Sequence, residues 1–141
     1  TGDTFRWRAE NVSTNEVAEV LNQHPQVAVA NVYGVEVPGV EGRAGMAALA
    51  VESPDMFDLE AFTALVDREL PVYARPVFIR LQESLQTTGT FKLVKTELRE
   101  EAFHLERTGG DFVYVRPPSG GGYQRLEQNF YLSLCQGTAG Y

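Results

Sequence analysis

The chain has 141 residues, a net charge of −7 and a pI near 4.8, and 43% of its residues are hydrophobic. That length fits one domain with a real core, and the acidic balance argues against nucleic acid as a partner, because phosphate binding needs a basic face. Cys135 is the single cysteine, which excludes an internal disulfide and a cysteine-based zinc site, and no apolar run approaches the roughly 20 residues of a membrane span.

Residues 3–9 alternate polar and large groups, with Phe5 and Trp7 on one face, which predicts a short strand in an N-terminal hairpin. Ser13 and Glu16 stand at capping-box spacing. Val17, Val20 and Leu21 follow at helical intervals, and Pro25 ends that helix. Val27 to Val37 is rich in β-branched residues and predicts a strand, broken near Gly34. Residues 38–42 form a turn. Ala44 to Val51 predicts a second strand, covered on both faces and antiparallel to the first. Leu59, Phe62, Leu65, Val66 and Leu70 predict a second amphipathic helix.

Pro71 and Pro76 bracket an irregular stretch, and Val77 to Leu81 predicts a third strand. Thr87 to Thr90 reads as a polar loop around Gly89, and Thr96 to Phe103 as a short charged helix. The tail from Thr108 is loop-rich, with one strand (112–115) and one helix (126–134). The order β-α-β-β-α-β-α predicts an α+β fold. Its small antiparallel sheet has about three strands plus the N-terminal hairpin, covered by helices. The domain proper is expected over residues 1–103, with 104–141 as a loop-rich extension of it. The first residue is Thr rather than Met, so the chain is expected to be a piece of a longer protein.

Residue chemistry alone stops there. His24 and His104 lack partners at metal-ligand spacing. The chain has no P-loop pattern and no Gly-x-Ser-x-Gly elbow. Glu100 and Glu101 read as a solvated helix face, and Lys92 as an exposed lysine.

Four segments add a family resemblance. Thr88-Gly89-Thr90-Phe91-Lys92-Leu93-Val94-Lys95-Thr96-Glu97-Leu98-Arg99 resembles the last core motif of adenylate-forming enzymes, with Lys92 on the motif's lysine. Asp3 to Val17 resembles their hinge motif. Val32 to Ala48 resembles the two strands and turn that follow, and Leu70-Pro71-Val72-Tyr73-Ala74-Arg75-Pro76 resembles the Leu-Pro-x-Tyr-x-x-Pro motif. The Thr-Gly-Thr-Phe-Lys variant is similar to the fatty acid transport protein and very-long-chain acyl-CoA synthetase branch.

The resemblance implies the mobile C-terminal domain of a fatty acyl-CoA synthetase. Such an enzyme joins a fatty acid to ATP as acyl-AMP, then transfers the acyl group to coenzyme A. It implies Lys92 as the catalytic residue, since a compact ammonium can lie between two repelling anions. It implies a hinge at Gly2 and Asp3, and a loop of Trp7, Arg8, Ala9 and Glu10 that serves the thioester step after a domain swing. Trp7 and Arg8 fit an exposed hairpin with scattered contacts equally well. Ala9 stands where the family usually has glycine. Arg43 is a further candidate near coenzyme A phosphates, beside the reading of a surface arginine.

The implied partners are an N-terminal adenylation domain and a fatty acid. That N-terminal domain would bind most of the ATP, coenzyme A and Mg, so the fragment alone is expected to be inactive. The implied location is the cytoplasm or the cytoplasmic side of a membrane, with peripheral membrane association. The alternative is a non-catalytic lipid- or protein-binding module built on this domain.

Overall fold

The computed structural model describes residues 4–7, 10–83 and 91–141, and of residues 91–95 the backbone only. The chain opens with the hairpin of β1 (Thr4–Trp7) and β2 (Glu10–Ser13), paired antiparallel from Thr4↔Ser13 to Trp7↔Glu10. Helix α1 (Thr14–Leu21) starts where the Ser13 hydroxyl accepts the Glu16 N–H at 3.4 Å, the predicted N-cap contact. Strands β3 (Val27–Val35) and β4 (Ala44–Val51) pair antiparallel. Every residue of β4 is buried, as its small apolar residues predict.

Helix α2 (Leu59–Glu69) is capped by Asp58, whose carboxylate accepts the Ala61 N–H at 3.0 Å, and it buries Phe62, Leu65 and Val66. It ends at Glu69, with Leu70 as its C-cap before Pro71. Strand β5 (Phe78–Glu83), helix α3 (Phe91–Glu101), strands β6 (Phe112–Val115) and β7 (Gln124–Arg125) and helix α4 (Gln128–Gln136) follow.

The α+β class is as expected, but four details change. The sheet has five strands in the order β3-β4-β5-β6-β7. It is mixed, not antiparallel throughout: α2 returns the chain so that β5 runs parallel to β4, the connection a parallel pair requires. Strand β3 runs unbroken through Gly34, and its irregularity lies between Val27 and Val29. Gly34 pairs with Gly45 instead, and a side chain at Gly34 would meet the Phe5 Cβ at 2.8 Å. The two glycines form the flat patch on which Phe5 of the hairpin sits. Helix α3 begins at Phe91, a turn before the expected Thr96.

The tail completes the core. Val113, Val115, Tyr123, Leu126, Tyr131 and Leu134 all belong to the same buried cluster as the central strands. The Tyr123 hydroxyl donates to the Pro76 carbonyl at 2.5 Å. On one face of the sheet, Phe78 stacks on Phe103 with 4.7 Å between ring centroids, and Leu98 of α3 is buried with them.

Candidate functional site

Three chain segments meet at one end of the sheet: the hairpin, the turn at 38–43 and helix α3. The Arg43 N–H donates to the Arg6 carbonyl at 2.7 Å, and Trp7 bridges to Gly42. Gly42 has φ +81°, and a Cβ there would stand 2.5 Å from the Arg6 oxygen. Only glycine lets the turn lie this close to β1.

A cleft of about 390 Å³ opens between these segments, with Arg6, Arg43, Arg99, Thr4, Thr14 and Tyr33 in its lining. It gathers three guanidinium-bearing residues in a chain of net charge −7. Arg43 is exposed, 3.9 Å from Glu36. Tyr33 is 1% exposed, and burial pushes its hydroxyl pKa up. Its hydroxyl has no hydrogen-bond partner among the described residues.

Helix α3 is fastened to the sheet by Arg80 of β5. The buried Arg80 guanidinium donates to the Glu101 carboxylate, to Asp111 Oδ2 at 2.9 Å and to the Thr108 carbonyl at 3.3 Å. Burial opposes the Arg80 charge, but the two carboxylates outweigh it and hold the pKa above its ordinary value. One side chain therefore joins β5, the end of α3 and the loop that follows. Sequence reasoning did not single out Arg80. The available signal was one arginine inside the apolar run Val77-Phe78-Ile79-Arg80-Leu81, since a buried charge demands partners.

A second fastening lies at α2. The Arg116 guanidinium, paired with Asp67 across 2.7 Å, holds the Asp67 carboxyl below the usual carboxylate range. Behind α3, His104 Nδ1 lies 3.1 Å from the Tyr131 hydroxyl, which donates to Glu106. Burial, then Arg107, lowers the His104 pKa. His24 is a core residue: its Nδ1 accepts the Gln26 N–H at 3.0 Å, and its ring packs on Phe57 with 4.9 Å between centroids. Among the described residues no cluster of metal-ligating side chains occurs, and no helix is long and apolar enough to cross a membrane.

The predicted site residues divide as follows. Lys92 lies in the first turn of α3, and its side chain is outside the described residues. Gly2, Asp3, Arg8 and Ala9 also lie outside them. Glu10 is exposed at the start of β2. Trp7 is 7% exposed and meets Tyr141 edge-on at 6.4 Å. Arg99, which the sequence reading named only as part of a motif, lines the cleft.

The AMP-binding enzyme C-terminal domain family matches residues 16–92, more than half of the chain, and the chain belongs to that family. Its curated relatives are long-chain fatty acid transport proteins. It is 50% identical to long-chain fatty acid transport protein 3 of Homo sapiens over 138 residues, covering 98% of this chain and 20% of the relative. The chain thus spans about one fifth of that relative's length.

Among solved structures, coronafacic acid ligase of Pectobacterium brasiliense matches with a TM-score of 0.65 at 18% identity, over 80% of this chain and 21% of the other. At that identity the likeness is one of fold. An o-succinylbenzoate CoA synthetase of Bacillus subtilis, solved with a CoA product analogue, matches with a TM-score of 0.51 at 29% identity. That match covers 59% of this chain and 16% of the other.

Proposed function

We propose that this chain is the mobile C-terminal domain of an ATP-dependent fatty acyl-CoA synthetase. The observation that carries the reading is the 50% identity, over 98% of the chain, to a protein named for long-chain fatty acid transport. The match to an AMP-binding enzyme family and the CoA analogue held by the Bacillus enzyme support a ligase that passes through an adenylate and uses coenzyme A.

In the first step a fatty acid carboxylate oxygen attacks the α-phosphorus of ATP. The new P–O bond gives acyl-AMP, and the bond to pyrophosphate breaks. Lys92 stands between the two anions, and its ammonium neutralises charge gathering in the transition state. A contact of that kind contributes about 3 kcal/mol, roughly a hundred- to thousand-fold in rate. In the second step the coenzyme A thiol attacks the acyl carbon and AMP leaves. A swing about Gly2 and Asp3 withdraws Lys92 and brings in the hairpin with Arg8, Ala9 and Glu10. The cleft lined by Arg6, Arg43 and Arg99 supplies cations suited to phosphate-bearing reactants.

The test is fatty-acid-dependent pyrophosphate release from ATP by the full-length protein, followed by thioester formation with coenzyme A. Both are expected. No release with any fatty acid would leave the non-catalytic binding module as the better reading.

A further inference from the structure

We propose that residues 137–141 clamp the β1–β2 hairpin and that Tyr141 is a positioning residue for the thioester step. The inference rests on the reading above, in which that hairpin serves this step.

Three contacts define the clamp. The Tyr141 ring stands edge-on to Trp7, with 6.4 Å between centroids and 61° between planes. It also meets Phe130 of α4, at 6.4 Å and 86°. The Tyr141 hydroxyl donates to the Arg116 carbonyl. Arg116 in turn is tied to Asp67 of α2 at 2.7 Å and donates to the Gly121 carbonyl at 3.0 Å. Tyr141 therefore connects the hairpin to α4, and through Arg116 to α2 and the end of β6.

The second arm of the clamp is Gly137. It caps α4 with φ 74°, and its N–H donates to the Leu134 carbonyl. A Cβ on Gly137 would stand 3.0 Å from the Pro38 carbonyl oxygen, and one on Gly39 would stand 3.3 Å from the Gly137 Cα. Two backbones touch here without side chains between them. The turn held by Gly137 is the one that binds β1 through Arg43 N–H to the Arg6 carbonyl. The end of α4 thus holds β1 twice, by the ring on Trp7 and by the turn behind Arg6.

Of the clamp's residues, Pro38 and Gly39 lie inside the family match over residues 16–92, and Trp7, Gly137 and Tyr141 lie outside it.

Trp7 is the last residue of β1 and pairs with Glu10 of β2. A cleft of about 270 Å³ flanks Trp7, with Val72, Pro117 and Tyr141 in its lining. Removing the Tyr141 ring leaves the indole room to shift, and its partner Glu10 across the hairpin would shift with it. Displacements near 1 Å in a reacting geometry cost up to roughly a hundred-fold.

The experiment uses the full-length protein with Tyr141→Ala and Tyr141→Phe. Two half-reactions are measured: fatty-acid-dependent pyrophosphate exchange, and thioester formation from supplied acyl-AMP and coenzyme A. Tyr141→Ala is expected to leave exchange within about twofold and to slow thioester formation about tenfold, the size that one aromatic contact and one hydrogen bond carry. Tyr141→Phe keeps the ring and is expected to recover most of that rate. With an active wild type, an unchanged thioester rate in Tyr141→Ala, or an equal fall in both half-reactions, overturns the clamp alone. A wild type that makes neither adenylate nor thioester overturns the underlying reading and the clamp with it.

Discussion

Replacing Arg80 by Met should destabilise the chain by about 2–4 kcal/mol, because it keeps the aliphatic stem and removes a buried charge that two carboxylates share. The guanidinium donates to Glu101, Asp111 and the Thr108 carbonyl. A hydrogen bond to a charged group contributes about 1.5–3 kcal/mol net, and two such groups set the upper bound. The Glu101 and Asp111 side chains are 35% and 28% exposed, so water recovers part of the loss. A domain of this size has roughly 7–20 kcal/mol in total, so the variant should still fold. The assay is urea unfolding of wild type, Arg80→Met, Glu101→Gln and the double variant. A coupling of at least about 1 kcal/mol between Arg80 and Glu101 is expected. A loss under about 1 kcal/mol for Arg80→Met, the size of an exposed pair, would refute the argument that this cluster fastens α3.

Gly42→Ala should cost about 1–3 kcal/mol, since φ is +81° and the new methyl lies 2.5 Å from the Arg6 carbonyl. The melting temperature should fall, and emission from Trp7, the chain's one tryptophan, should change as β1 moves. Stability should also fall as pH drops below about 6.5. His104 is held neutral by burial and Arg107. With its folded pKa depressed, its contribution is complete above the unfolded value and lost as pH falls towards the folded one. Urea midpoints at pH 7.5 and 5.5 should differ less in His104→Gln than in wild type.

Strands β3 and β4 and helix α2 were legible in the sequence because each carries its own local signal. Those signals are β-branched runs, small apolar residues, and apolar residues at helical spacing followed by Pro71. The parallel pairing of β4 with β5 was not legible, since it depends on how α2 returns the chain. The role of the tail was hidden by composition. Its glycines and prolines read as loop, yet Val113, Val115, Tyr123 and Leu134 fill the core. Trp7 fitted either a contact of the thioester-step loop or an exposed hairpin in the sequence, and only the fold shows it buried against Tyr141.

The candidate site was legible differently. No physical feature of Lys92 marks it; its position seven residues before Arg99 does, through the motif it shares with adenylate-forming enzymes. Arg80 had the opposite fate. No motif reading picked it out, but its burial among carboxylates identifies it at once in three dimensions.

The most direct test of the account is Lys92→Ala in the full-length protein, with the two half-reactions measured apart. Acyl-adenylate formation should fall about a hundred- to thousand-fold, while thioester formation from supplied acyl-AMP should stay close to wild type. Equal loss in both half-reactions would contradict the role assigned to Lys92.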